Sequence, residues 1–383
     1  MKRILIIASA ALVAMCACTK NEADVVVGQD QEITFEVANY LSQTKAEDSP
    51  LAYYSDGHFG TFAFQVPEGQ SWATATTKSV FMDNVEIYAQ SGVWKAEKAY
   101  YWPKTGSLTF ASYSPVDSDS ACGATASCGN DAVVKITGWE VETDESEQAK
   151  DYTEDLMWAD VISDQTNNNA DDKIFTEGVK TLFHHALAKV NLKAKMTETA
   201  AESAYDFAIY VTKVIVDGLE YTGDYTVGTG WVNRDTDERA GDAAIYTNTA
   251  SYTIGGTYSE GTDVLGTDDD SAVDLIKNYF VLPQTLADAS TIELEYTIVT
   301  IDADGKIVLV ETTTTDEIKI NTMGLDKWDE NKNITYTVTI APTQENPILF
   351  DPAVVDWENE DPEDIKVADL KVNGKWMDYG GIL

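Results

Sequence analysis

The chain has 383 residues, 44% hydrophobic and 10% aromatic, the composition of a folded protein with room for two or three domains of roughly 150 residues each. Its 65 Asp+Glu outweigh 26 Lys+Arg, and arginine occurs only as Arg3, Arg234 and Arg239, so the clustered cations needed to bind nucleic acid or an anionic membrane surface are missing. Three histidines (His58, His184, His185) and four cysteines are too few and too dispersed for a clustered Cys/His zinc site; no metal, cofactor or catalytic residue is expected.

Lys2 and Arg3, followed by the apolar run Ile4 to Val13, read as a signal peptide over residues 1–17, because the run falls short of the roughly 20 residues that span a bilayer. The run leads into Cys16-Ala17-Cys18-Thr19, which resembles the lipobox of bacterial lipoproteins. That pattern places a small residue before the acylated cysteine, so Ala17 favours Cys18 as the lipidation site over Cys16; an ordinary secretory peptide with incidental cysteines is the alternative. The expected location is the outer membrane and cell surface, with residues 18–31 as a polar tether.

Beyond the tether the chain reads as strands. Ile33, Phe35 and Val37 alternate with Glu32, Thr34 and Glu36, the period that puts apolar side chains on one sheet face. The alternation returns at Val190, Leu192, Ala194 and Met196, at Ile292, Leu294, Tyr296 and Ile298, and at Ile334, Tyr336, Val338 and Ile340. Asp302-Ala303-Asp304-Gly305 and Asn373-Gly374 are hairpin turns by composition. No long stretch has helical period. The fold class is mostly β, and a run of acids and amides over residues 140–178 puts a boundary near 180, giving an N-terminal β-sandwich over 32–180, a C-terminal one over 181–364 and an extension over 365–383.

Several segments then resemble, in order, the fimbrillin-like proteins of Bacteroidota. Tyr100-Tyr101-Trp102-Pro103 with Leu108-Thr109-Phe110-Ala111-Ser112-Tyr113-Ser114-Pro115 is similar to that family's "YYWP…LxFxAYSP", with Ser112 in place of alanine. Asp155-Leu156-Met157-Trp158-Ala159, Phe183-His184-His185-Ala186-Leu187-Ala188-Lys189-Val190, Val281-Leu282-Pro283-Gln284-Thr285-Leu286 and the stretch from Trp328 to Val355-Asp356-Trp357 match further segments. The resemblance implies two tandem transthyretin-like β-sandwich domains, a structural or adhesive role in a type V pilus, other pilus subunits as partners and no active site. It also implies cleavage in the loop behind the first strand, here between Lys45 and Ala46, where the family more often has arginine. The strand so lost would be replaced by the tail of another subunit, with Ile365, Val367, Leu370, Val372 and Trp376 as donor residues; a tail packed on its own second domain is the alternative.

Other features have blander readings. Tyr100 to Pro103 is expected to pack in a core, although a glycan-stacking platform, and with it a surface glycan-binding lipoprotein, is the alternative. His184 and His185 are neighbours on a strand, so they point to opposite faces and do not converge on a metal. Asp268-Asp269-Asp270 lacks the ligand spacing of a calcium loop, and Gly228-Thr229-Gly230 is a turn. Cys122 and Cys128, in an exported chain and separated by small residues, are expected to form a disulfide.

Overall fold

The computed structural model describes residues 31–38, 58–90, 93–116, 124–141, 155–167, 178–198, 203–235, 244–261, 263–315, 317–342, 348–357, 371–372 and 375–376. The first half contributes β1 (Phe35–Ala38), β2 (His58–Val66), β3 (Ser79–Gln90), β4 (Val93–Ala96), β5 (Ser107–Ser114), β6 (Thr125–Cys128), β7 (Val134–Glu140), β8 (Met157–Ala159), β9 (Ile162–Gln165) and β10 (Val179–His185). The second half contributes β11 (Ala188–Met196), β12 (Asp206–Asp217), β13 (Thr222–Thr226), β14 (Gly230–Asp235), β15 (Ala244–Thr247), β16 (Val273–Val281), β17 (Gln284–Thr285), β18 (Thr291–Ile301), β19 (Ile307–Thr314), β20 (Ile318–Lys319), β21 (Lys327–Trp328), β22 (Lys332–Ile340) and β23 (Leu349–Asp356). Two further short strands, β24 (Lys371–Val372) and β25 (Lys375–Trp376), pair antiparallel; the expected Asn373-Gly374 turn lies outside the described residues. Among the described residues the one helical piece is a 3₁₀ turn at Ile320–Thr322.

The two halves repeat one pairing scheme. In the first, the rows β4-β1-β10-β8 and β3-β2-β5-β9 are joined through β3–β4 and β5–β8 into one eight-stranded sheet that closes on itself. In the second, β16-β11-β22-β23 and β15-β12-β18-β19 follow the same orders as two separate sheets. β1 runs parallel to β10 and β11 parallel to β22, while the other pairings in both schemes are antiparallel. Apart from that closure, the chain order differs in one place: β8 precedes β10, whereas β23 follows β22.

Each pair of layers encloses its own apolar core. Ile33, Phe35, Phe59, Phe110, Val179 and Phe183 lie in the first, and Val190, Leu192, Val214, Leu294 and Ile334 in the second. From Val190 on, β11 alternates buried and half-buried residues, as its sequence period requires. β5 does not alternate: all eight residues are buried, with Leu108 and Phe110 in the first core and Ala111 and Tyr113 in a third. Ser112 is tolerated there because its hydroxyl shares a 2.8 Å hydrogen bond with Thr61 Oγ1, so neither of these two buried hydroxyls is left unpaired.

That third core joins the halves. β7 pairs with β13, so the sheet β14-β13-β7-β6 takes two strands from each side of residue 180. Trp139, Leu156, Ala186, Leu187, Tyr225, Leu282 and Trp357 are buried together beneath it.

Candidate functional site

Two places concentrate the residues singled out in the sequence. The first is the slot occupied by β1. Ile33 N donates to Tyr100 O (2.7 Å) and Trp102 N to Gln31 O (3.0 Å), so the backbone of the Tyr-Tyr-Trp-Pro segment is one wall. Phe35 pairs with Trp94 of β4 on that side and with Val179 of β10 on the other, and Val179 N donates to Thr34 O (2.7 Å). β1 thus bridges two strands that do not otherwise pair.

Inward, Ile33 and Phe35 are almost fully buried. The Phe35 ring meets Phe59 (5.6 Å) and Phe110 (5.7 Å) edge to face, a geometry aromatic quadrupoles favour. Burying two such side chains stabilises the strand by about 1.5–3 kcal/mol each, so without β1 the groove would present aromatic surface and two unpaired sheet edges to water. Gly178, which has φ +95°, lets the chain enter β10 against this strand: a Cβ there would lie 2.7 Å from the Phe35 carbonyl carbon.

Of the Tyr-Tyr-Trp-Pro residues, Trp102 is buried in the first core, Tyr100 packs against it, and Tyr101 is 47% exposed.

The second place is the junction, where four of the family-like segments converge. His185 Nδ1 donates to Asp155 Oδ2 (2.5 Å), and the imidazole stacks on Trp357 at 3.8 Å and 5°. Trp158 Nε1 (2.8 Å) and Tyr225 OH (2.7 Å) both donate to Glu330 Oε1. Burial raises the Glu330 carboxyl above its ordinary range, offset in part by these two donors and by nearby His184. Burial, then the Glu330 charge, likewise push the Tyr225 phenol above its usual range. Trp231 Nε1 donates to Ala186 O and Gln284 Oε1 accepts from Glu220 N, with Gln284 Nε2 donating to Leu282 O. These groups hold one another in place. His184 lies on the opposite face from His185, 3.2 Å from Asp160, as strand geometry requires.

Asp268 Oδ1 accepts from Ser271 N and Oγ, and Asp269 pairs with Lys195, so this acidic run is a surface loop closed on itself. Gly228 and Gly230 form the β13–β14 turn with positive φ. Cys128 is half-buried and unbridged among the described residues, its Sγ 4.0 Å from Asp83 Oδ1. Cys16, Cys18, Lys45, Ala46, Cys122, Ile365, Val367 and Leu370 lie outside the described residues; Val372 and Trp376 lie in β24 and β25.

The fimbrillin-like family model matches residues 30–357, from just ahead of the slot strand to the junction tryptophan. The chain belongs to the fimbrillin-like family. Its fold is that of a fimbrial protein from Bacteroides vulgatus, with a TM-score of 0.66 and 21% identity over 86% of this chain and 100% of that one. A candidate cell adhesion protein from Bacteroides uniformis aligns over 85% of this chain and 98% of its own at 17% identity and a TM-score of 0.40, and one from Parabacteroides distasonis over 85% and 100% at 12% and 0.42. No curated protein matches. In this chain the family-like motifs form a slot wall, a strand buried on both faces and a junction.

Sequence reasoning missed Gly178, Glu330 and the slot lysines Lys95 and Lys180. Only the lysines left a signal: cations are scarce in this chain, so each one on a strand is worth locating.

Proposed function

We propose that this fimbrillin-like chain is a structural or adhesive subunit of a cell-surface type V pilus, built from two tandem transthyretin-like β-sandwich units divided near residue 180. It is exported as a lipoprotein acylated on Cys18 and assembles by protease-triggered strand exchange with other subunits. The observation that carries this reading is the position of β1: four residues, first in the fold, holding together two strands that otherwise do not pair. Cleavage between Lys45 and Ala46 frees that strand. The vacated groove is then filled by the tail of a neighbouring subunit, whose main chain completes both edges. Such head-to-tail addition is open-ended and produces a filament. The repeated pairing scheme of the two halves supports the tandem arrangement.

Deleting residues 365–383 tests the reading: a folded monomer that no longer polymerises is expected, and filaments of normal length would refute the donor role. Cys18→Ser should abolish labelling by a palmitate analogue. The Cys122–Cys128 disulfide, which closes a short loop and so adds at most about 3 kcal/mol, would appear as one unreduced peptide in mass spectrometry; two alkylatable thiols would exclude it.

A further inference from the structure

The first half closes on itself, whereas the second ends in a free edge. β8 lies between β10 and β5 and pairs with both; β23, its counterpart, pairs with β22 alone among the described residues. The edge strand of the other sheet, β19, is covered at its start, where Gly255 N donates to Ile307 O and Ile307 N to Gly256 O. β23 has no such cover among the described residues, and Leu349, Val354 and Val355 are exposed on it. An edge that combines apolar side chains with a row of unpaired backbone groups is a template for another chain.

The direction of the ladder shows which groups form that row. In an antiparallel pair the N–H and C=O of one residue point toward the partner strand, and those of the next point away. Trp357 N donates to Asn331 O (3.0 Å), and the register runs unbroken from Lys332↔Asp356 to Thr339↔Leu349. Val355, Ala353, Asp351 and Leu349 therefore bond β22, while Phe350, Pro352, Val354 and Asp356 point outward. On the far side of β22 the same alternation holds, since Ile340 O accepts from Thr197 N at the end of β11. Pro352 thus stands in the middle of the outward row. A proline there costs the β22 ladder nothing and removes a donor from the free edge. The strands that border the β1 slot, Val93–Ala96 and Val179–His185, contain no proline.

We propose that Pro352 is a guard: it keeps β23 from accepting a strand, and without it this edge pairs antiparallel with the same edge of a second copy. The partner is a second copy because a two-fold axis sets identical rows of donors and acceptors against each other. Packing leaves room for the change. The Pro352 ring lies against Gly324, where a Cβ would be 2.7 Å from Pro352 Cγ, and valine is close to proline in size. The proposal concerns the second half and stands whether or not β1 exchanges.

The test is sedimentation velocity of the unprocessed full chain in detergent, with β1 still in its slot, over a range of concentrations and with thermal melts as a check on folding. Pro352→Val should strengthen self-association by on the order of tenfold or more, because each copy regains an edge donor. Adding Val354→Pro to that variant moves the proline to the next outward position and should return association to the parent's level. Val355→Pro alone removes a bond to β22 and should melt lower than Val354→Pro alone. A Pro352→Val chain that sediments as the parent does, or association that Val354→Pro does not reverse in a folded protein, overturns the guard. The reverse order of melting would overturn the ladder direction on which it stands.

Discussion

β1 and β11 hold the same place in the two halves, yet they are tied down very differently. Each is the first strand of its half, runs parallel to a late strand and lies antiparallel to a third. β11 has nine residues, eight of them in register with β22 from Lys189↔Asn333 to Met196↔Ile340, and it continues from β10 through the buried Ala186 and Leu187. β1 has four residues, one of which pairs with β4. One topological position can therefore be held by a long ladder and covalent continuity or by a short ladder alone, and on the proposed function it is the short-laddered β1 that exchanges.

The largest effects should separate the two strands. Leu192→Ala, in the core behind β11, should cost about 2–5 kcal/mol and lower the global unfolding transition; Phe35→Ala should cost about 3–5 kcal/mol, expressed as faster amide exchange in β4 and β10 with β11 and β22 still protected. Equal loss of protection in both halves would break the comparison. A smaller effect contrasts two glycines. Gly305, in the β18–β19 turn at φ +74°, has open space around it, whereas Gly178 abuts the Phe35 backbone. Gly305→Ala should cost about 1–2 kcal/mol from left-handed backbone alone. Gly178→Ala should cost more and free β1 for proteolysis; equal costs by chemical denaturation would deny the close approach.

The smallest effect belongs to the junction. Because the folded protein raises the Glu330 carboxyl above its ordinary 4.5, the fold binds a proton more tightly there than the unfolded chain does. Its contribution is therefore fully present at low pH and is lost as pH rises from the ordinary value through the raised one. Glu330→Gln keeps an acceptor for Trp158 and Tyr225 and removes that slope. The variant should gain on the parent by on the order of 2 °C in Tm as pH rises through that window; a gap that does not widen would contradict the buried placement.

What could be read from the sequence follows the physics of burial. β11 and β22 face the core on one side only, so their alternation was visible. β5 and β12 are covered on both faces, with Ile209 in the sandwich core and Tyr210 under the loop that carries Tyr252 and Tyr258, and a strand buried on both sides has no period to find. The Tyr210 phenol, pushed up to about 12 chiefly by burial, marks how dry that second face is. The strand alternation around Phe35 was legible, but its parallel partnership with β10 was not, because pairing between distant strands leaves no local trace. The junction was equally hidden: Trp158 and Glu330 stand 172 positions apart, and β7 meets β13 across the expected boundary.

The central claim is that β1 is the replaceable strand. The most direct measurement is a side-chain-resolution reconstruction of the native filament, read at the groove between β4 and β10. The account predicts that each chain begins at Ala46 and that its groove holds the tail of a neighbour; density for the subunit's own Ile33 and Phe35 in that groove would contradict it.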